Sequence, residues 1–432
     1  MRRIAIALLT LSLLAASCGD DGGEGAEPTT TAPESTTSTL GPNTASFRGV
    51  TADTIKVGVA AFDWDRLSAL GVNFGVTNNG DIWAAAVEAI NDRGGVHGRM
   101  LETVVVEFLP VGSTEADEAC VRLTEDEEIF IVVGTVLNEQ ILCFTELHET
   151  AALVSGGMND ERLERSKAPY VTVIGTQQQR TDAFIELMEA QGVLQGQSLG
   201  VIGSKDVSET GFRAMVDRLR HASYDPVEGL IGDNDGDLAQ SARDQDLIYE
   251  RMREADVTVA ISTTGVPLEI ANAFESNFEP EQWLLATVMT GRGLTDAGVP
   301  HDYLDGALAA INGKTGTTAQ PLLEDDPLAS ACIDDIRART GQQISYSLET
   351  VPNNITTALL SCATAIILEA ALTNAGQVLT NESLLSGFEA IGEIDLPSYT
   401  EATIGPGDYG AIKGLSTVRF NAATGTWEPI EG

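Results

Sequence analysis

Apolar runs and amphipathic stretches alternate through most of the chain. Thr54–Phe62 (TIKVGVAAF) is apolar and β-branched, which predicts a buried strand. Asp81–Asp92 places Ile82, Ala85, Ala89 and Ile90 at helical spacing, and Gly94-Gly95 ends it. Thr103–Leu109, Phe130–Val136 and Ala152–Ser155 read as further strands, with helices predicted over Thr114–Glu127 and Glu139–Thr150. After Ala168–Gly175 the alternation restarts. Helices are predicted over Gln178–Gln191, Glu209–His221, Leu238–Glu254 and Pro267–Phe278, and strands over Leu199–Ile202, Val227–Ile231, Val257–Ser262 and Trp283–Ala286. Strand–helix alternation implies an α/β fold of parallel sheets covered on both faces, and two successive runs imply two α/β lobes. Ligands in such sheets sit beyond the carboxyl ends of the strands, and two lobes can turn those ends toward each other across a cleft. From Leu328 the rhythm changes to helices over Leu328–Arg339, Ile355–Asn374 and Ser383–Ile391, then a hairpin over Gly414–Trp427 turning at Asn421–Gly425. No short period recurs, which argues against a solenoid.

The N-terminus departs from this pattern. Met1-Arg2-Arg3 is a basic n-region and Ile4–Leu14 an apolar h-region, the layout of a secretory signal. The run Ile4–Ala16 is too short to span a bilayer and reads as the only long apolar run of the chain. It ends Leu14-Ala15-Ala16-Ser17-Cys18, which resembles the lipobox of bacterial lipoproteins. The resemblance implies acylation of Cys18 and anchoring to the outer face of the cytoplasmic membrane. Residues 1–17 are therefore expected to be a signal peptide. Residues 18–46, rich in Thr, Pro, Gly and acids, are expected to be a disordered tether.

Composition narrows the classes. The chain has 432 residues, 43% of them hydrophobic, enough for ordinary cores in two or three domains. Its net charge of −39 repels phosphate backbones, so nucleic-acid binding is not expected. With Cys18 set aside, Cys120, Cys143, Cys332 and Cys362 remain. An even number in an exported chain favours two disulfides, and four cysteines allow three pairings. Pairing neighbours, Cys120 with Cys143 and Cys332 with Cys362, keeps each bridge local; the sequence leaves the connectivity open.

Catalytic signatures are missing. There is no G-x-S-x-G elbow, no Walker loop and no H-E-x-x-H, since His148-Glu149 is followed by Thr150-Ala151-Ala152. The four histidines are not spaced as metal ligands, and Gly291-Arg292-Gly293 lacks the third glycine of a dinucleotide fingerprint. Asp233, Asp235, Asp237 and Asp244 fail the calcium-loop pattern, having Leu238 at the sixth position and Asp at the twelfth. No cofactor or metal is expected, and no enzymatic activity.

Ala86–Arg99 reads A-V-E-A-I-N-D-R-G-G-V-H-G-R. This resembles the A-x-x-x-I-N-x-x-G-G-[IV]-x-G segment of the branched-chain amino-acid binding proteins, the type 1 periplasmic-binding-protein-like receptors of ABC importers. Thr54–Val59, Val132-Val133-Gly134 and Val154-Ser155-Gly156-Gly157 match in order, and the Cys120–Cys143 separation resembles that family's disulfide-closed excursion. The resemblance runs unevenly from about Val50 to Trp427. It implies two doubly wound α/β lobes joined by three hinge crossings, closing on one small molecule as a hinged trap. By this analogy lobe one takes 47–175 and 306–399, and lobe two takes 176–305 and 400–432.

The resemblance also places a pocket. Asp63 and Trp64 follow the first strand, Asn138 the third, and Gly157, Met158 and Asn159 the fourth. Ser208, Thr263, Thr264 and Thr287 are the candidates from lobe two. Two of the family's ligand groups are missing. Thr263-Thr264 stand where the family's amino-acid binders carry a Tyr, and Thr287-Val288-Met289-Thr290 lack the Glu that meets the ligand ammonium. The ligand is therefore expected to be a small polar organic molecule: an amino acid, an amide or a carboxylate. The implied partners are an ABC permease and ATPase, with the chain a monomer that meets the membrane through its lipid alone. The same trap could instead serve a signalling partner as a sensor, and an exported hydrolase is a further alternative that would require turnover.

Overall fold

The computed structural model describes residues 42–430 apart from 70–74, 111–112, 137, 233–237, 265–266, 289–290, 314–324, 347–352 and 400. The signal peptide, Cys18 and nearly all of the tether lie outside the described residues. So do Leu137, Met289 and Thr290.

The first run builds one parallel sheet from β1 (Thr54–Phe62), β2 (Met100–Phe108), β3 (Ile131–Gly134), β4 (Ala151–Val154) and β5 (Tyr170–Ile174). The second builds another from β6 (Leu199–Ser204), β7 (Val227–Ile231), β8 (Val259–Ser262), β9 (Gln282–Leu285) and β10 (Leu308–Asn312). The spatial orders are 5-4-3-1-2 and 10-9-8-6-7. Each is the doubly wound order whose topological switch lies between the first and third strands.

Helices cover both faces. α1 (Trp64–Ala69), α2 (Asn79–Asp92), α3 (Thr114–Val121) and α4 (Asp160–Arg165) belong to the first run. α5 (Gln177–Ala190), α6 (Lys205–His221), α7 (Leu238–Glu254), α8 (Pro267–Glu275) and α9 (Gly291–Asp296) belong to the second. α10 (Pro327–Thr340), α11 (Ile355–Ala375) and α12 (Asn381–Glu389) return to the first sheet. There α11 packs between α2 and α12 over one face. The hairpin at the C-terminus is β14 (Leu415–Asn421) with β15 (Thr426–Pro429), and β14 adds antiparallel to β10.

The crossings fall later than the sequence places them. β10 lies in the second sheet, so the expected return to lobe one at Gly306 comes after Asn312. Its short run LAAIN gains strand character only by pairing with β9 and β14. β13 (Gly410–Ile412) pairs parallel with β5, so 400–432 is shared between the sheets rather than given whole to lobe two. Between them, β11 (Gly392–Glu393) and β12 (Thr403–Ile404) form a small ribbon.

Two predicted helices are shorter. α3 stops at Val121 and continues as a wider π-turn, Arg122–Asp126, while Glu139–Thr150 is a 3-10 turn (Asn138–Gln140) and a second π-turn, Cys143–Leu147. Both π-turns close through an i to i+5 amide bond, Glu127 to Arg122 and His148 to Cys143. Each is followed by a glutamate in the left-handed region, Glu128 and Glu149, which swings the chain into β3 or β4. The Cys120–Cys143 disulfide joins the two excursions, and Cys332–Cys362 joins α10 to α11.

The Ala86–Arg99 motif has a physical account. The Asn91 side chain accepts from the Leu101 amide at 2.7 Å and donates to the Leu101 carbonyl at 2.9 Å, stitching the end of α2 to β2. Gly95 sits at φ +68°, and a β-carbon there would lie 2.0 Å from the Arg99 carbonyl oxygen, so only glycine fits the turn. Arg99 is 1% exposed and donates to three carbonyls: Thr51 at 2.8 Å, Gln377 at 2.9 Å and Thr44 at 3.0 Å. Asn43 and Ser46 also bond, to His97 and Leu379. The expected tether to Ser46 is therefore tied down from Asn43.

A second apolar run also stands out. Ile355–Ala375 is long and apolar enough to cross a membrane by length and composition alone. Most of it is buried, at Ala358, Leu359, Ala363, Ile367, Leu368 and Leu372 among others, as the core helix of the first layer.

Candidate functional site

The carboxyl ends of the two sheets approach each other. Arg162 on α4, just beyond β4, reaches Thr210 on α6, just beyond β6, at 3.4 Å. Its guanidinium also bonds Glu139 at 2.9 Å and the Gly157 carbonyl at 2.6 Å. Beside it a hollow of about 210 Å³ is lined by Asn159, Asp160, Glu161, Gln177, Thr210 and Ala214, from both layers.

At the first switch point the chain leaves β1 through Asp63 and Trp64. Asp63 caps α1, a helix the sequence pattern does not announce: its carboxylate accepts from the Arg66 amide at 2.9 Å and lies 3.7 Å from the Arg66 guanidinium. Trp64 stands half-buried, edge-on to Phe62 at 5.3 Å. Across the switch, the Thr135 amide donates to the Ala60 carbonyl at 2.8 Å. Ser155, the next strand end, holds its hydroxyl 3.5 Å from that of Thr135. Asn138 opens the 3-10 turn. Asn159 is the N-cap of α4, accepting from the Arg162 amide at 2.8 Å, so its side chain is spent on the helix. Met158 is buried and Gly157 adopts φ +86°.

The second switch point is hydroxyl-lined. Ser208 interrupts α6 with φ −140°, so the regular helix begins at Glu209. Its hydroxyl accepts from the Ser204 amide at 3.1 Å and pairs with the Thr263 hydroxyl at 3.1 Å. The Thr263 hydroxyl also lies 3.0 Å from the Ile202 carbonyl. The structure thus joins two predicted site residues, Ser208 and Thr263, directly across the switch. Thr287 is exposed beyond β9. Thr264 points the other way, donating to Glu269.

Glu269 was not singled out by sequence. It is 3% exposed in the first turn of α8, and among the described residues its Oε1 has no hydrogen-bond partner. Burial outweighs the Ser262 and Thr264 hydroxyls and raises its pKa. Tyr249, whose hydroxyl donates to the Glu269 carbonyl at 2.9 Å, packs beside it. A carboxyl raised in the folded chain holds its proton more tightly folded than unfolded. Stability therefore falls as pH rises from the unfolded value, about 4.3, through the folded one. Glu269→Gln should remove that slope, giving a variant about 1 kcal/mol more stable than wild type at pH 8 and no different at pH 4. Urea denaturation at both pH values checks this; a wild-type advantage at pH 8 would show the carboxylate to be held charged.

Among the described residues the one grouping with metal-ligand geometry is Cys120, Cys143 and His148. Its two sulfurs are joined in a disulfide, which leaves the imidazole as its free donor.

No family model matches the chain, and no curated protein matches it by sequence. Solved structures do. A possible leucine/isoleucine/valine-binding protein from Rhodopirellula baltica SH 1 aligns with TM-score 0.63 at 16% identity, covering 88% of this chain and 96% of that one. The solute-binding protein of an ABC transporter from R. palustris, in complex with 4-hydroxybenzoate, gives 0.64 at 15%, covering 88% and 96%. A fatty acid ABC transporter substrate-binding protein from Thermomonospora curvata gives 0.63 at 16%, covering 89% and 93%. The fold of this chain is that of the type 1 periplasmic binding proteins.

Proposed function

We propose that the chain is an extracytoplasmic solute receptor of an ABC importer, held to the membrane by acylated Cys18, without catalytic activity. It takes one small organic molecule between its two sheets and presents the closed form, as a monomer, to a permease and its ATPase. The observation that carries this reading is the approach of the two sheets' carboxyl ends through Arg162 and Thr210, and it is supported by the groups at the switch points, Trp64, Thr135 and Ser155 in one layer and Ser208 and Thr263 in the other. An apolar wall with a few convergent hydroxyls suits a small, partly apolar solute. The solutes of those neighbours, leucine-type amino acids, 4-hydroxybenzoate and fatty acids, span the same range. The Thr287-Val288 stretch carries no carboxylate to meet an ammonium, so the leading ligand class is one without a free α-amino group.

A thermal-shift screen of the full chain purified in detergent, against amino acids, amides, small carboxylates, polyamines and sugars, tests this. A ligand selective for the folded state at a hundredfold excess over its Kd stabilises by about 2.7 kcal/mol. Trp64→Ala and Thr263→Val should each weaken the hit about tenfold or more, with a small change in the ligand-free Tm. Unchanged affinity in both would move the site elsewhere, and turnover of the hit would replace the receptor reading with an enzyme.

A further inference from the structure

The first crossing runs from β5 through Gly175 and Thr176 into α5. Arg180 lies in the first turn of that helix, where side chains lean back toward the N-terminus. Its stem follows this rule: a β-carbon built on Gly175 would lie 3.5 Å from Arg180 Cγ and 2.9 Å from the carbonyl oxygen of Ile412. Ile412 ends β13, immediately before the last crossing. Arg180 therefore lies where two of the three hinge strands run side by side, one turn along α5 from Gln177, which lines the hollow between the two layers.

Among the described residues its guanidinium has no hydrogen-bond or ion-pair partner. The surface arginines of this chain mostly do: Arg66 with Glu115, Arg93 with Glu369, Arg165 with Glu146 and Arg339 with Asp335. In a chain with 64 acids and 25 bases, an arginine left without a carboxylate is a choice of surroundings rather than a shortage of anions. The hinge's own carboxylate, Asp408, is already held by Gln179 at 2.9 Å and by Lys413. Arg180 also keeps part of its surface open, yet the protein around it desolvates the charge and lowers its pKa, with no neighbouring acid to offset the effect. Tyr399, beside Gly313 at the second crossing, is enclosed in the same manner. A cation that is reachable by solvent but walled in lies in a cleft, and holding it there unpaired costs stability.

We infer that Arg180 is the anchor for an anionic group of the solute, so that the ligand class is an organic acid whose carboxylate reaches the hinge. The inference rests on the solute-receptor reading above and deepens it. A guanidinium fork matches a carboxylate in two parallel hydrogen bonds. Neutralising it on binding would favour the closed form, since the charge is poorly solvated until the acid arrives.

The test uses the full chain with benzoate, 4-methylpentanoate and succinate, each beside its uncharged amide. An acid should raise the wild-type Tm where its amide does not. Arg180→Gln should weaken that acid at least tenfold while raising the ligand-free Tm, because an uncompensated charge has been removed; Arg180→Lys should retain more of the affinity than Arg180→Gln. On the unaltered chain, phenylglyoxal should modify Arg180, and the stabilising acid should protect it. Equal binding of acid and amide, full affinity in Arg180→Gln, a lower ligand-free Tm in that variant, modification unaffected by the acid, or no shift by any of the three acids would each overturn the assignment. A shift by a sugar, amine or amide alone would overturn it while leaving the solute-receptor reading intact. No shift across the whole solute panel would count against both.

Discussion

Replacing Arg99 by methionine is expected to cost about 3 kcal/mol, because a buried guanidinium that ties three carbonyls together is removed at once. The three acceptors belong to segments far apart in sequence: Thr44 at the start of the described chain, Thr51 before β1, and Gln377 after α11. The loss should therefore be spread in space. Hydrogen exchange at Asn43–Phe47 and around Gln377–Leu379 should accelerate together, and the urea midpoint should fall with little change in slope. Methionine fills a comparable volume, so a cavity is not the cause. A loss below about 1 kcal/mol would mean that the carbonyls find other donors and that the clamp is not what holds the entry segment.

Breaking Cys332–Cys362 should have an effect of similar size. The bond closes a loop with a sequence separation of 30, for which chain entropy gives about 3–4 kcal/mol. It also fastens α10 to α11, so the damage should fall on the first layer and leave the second intact. Cys332→Ser with Cys362→Ser, compared with Cys120→Ser with Cys143→Ser, separates the two bridges; the first pair is expected to be the costlier because it links two core-covering helices, while the second links two excursions. Equal and small losses in both pairs would show that packing alone holds these segments.

Much of the fold is legible in the chain because it is written in short periods. β1 begins and ends where its apolar run does, and α7 and β7 likewise. The start of regular helix at Glu209 is legible too, since Ser208 stops what precedes it. What escapes notice is decided by partners rather than by pattern. LAAIN becomes β10 because β9 and β14 lie on either side, and Gly410–Ile412 becomes a strand because β5 has a free edge. The π-turns are likewise invisible, because an i to i+5 closure leaves no periodic trace in so few residues.

The candidate site divides in the same way. The loops after the strands were foreseeable, and so were hydroxyls at Ser208 and Thr263. Their mutual bond was not, nor that Asp63 and Asn159 would spend their side chains on helix caps. Thr135 and Ser155 were passed over because only the strand order brings their hydroxyls together, and Glu269 and Arg180 because nothing in the order of residues shows which groups go unpartnered. For Arg180 there was one usable hint, a base in the first turn of the helix that follows the first crossing, where a helix ordinarily prefers acids.

The two sheets share one wiring, and the correspondence extends to single atoms. Thr135 donates its amide to Ala60 across the first switch as Thr263 does to Ile202 across the second; one strand further, Ser155 donates to Gly134 as Ala286 does to Ser262. The backbone wiring beyond the strand ends is thus the same in both sheets. The side chains are not: Ser155 has a hydroxyl where Ala286 has a methyl. A shared frame with an unlike lining puts different groups at matching positions, so the two layers are equivalent in wiring and distinct in chemistry.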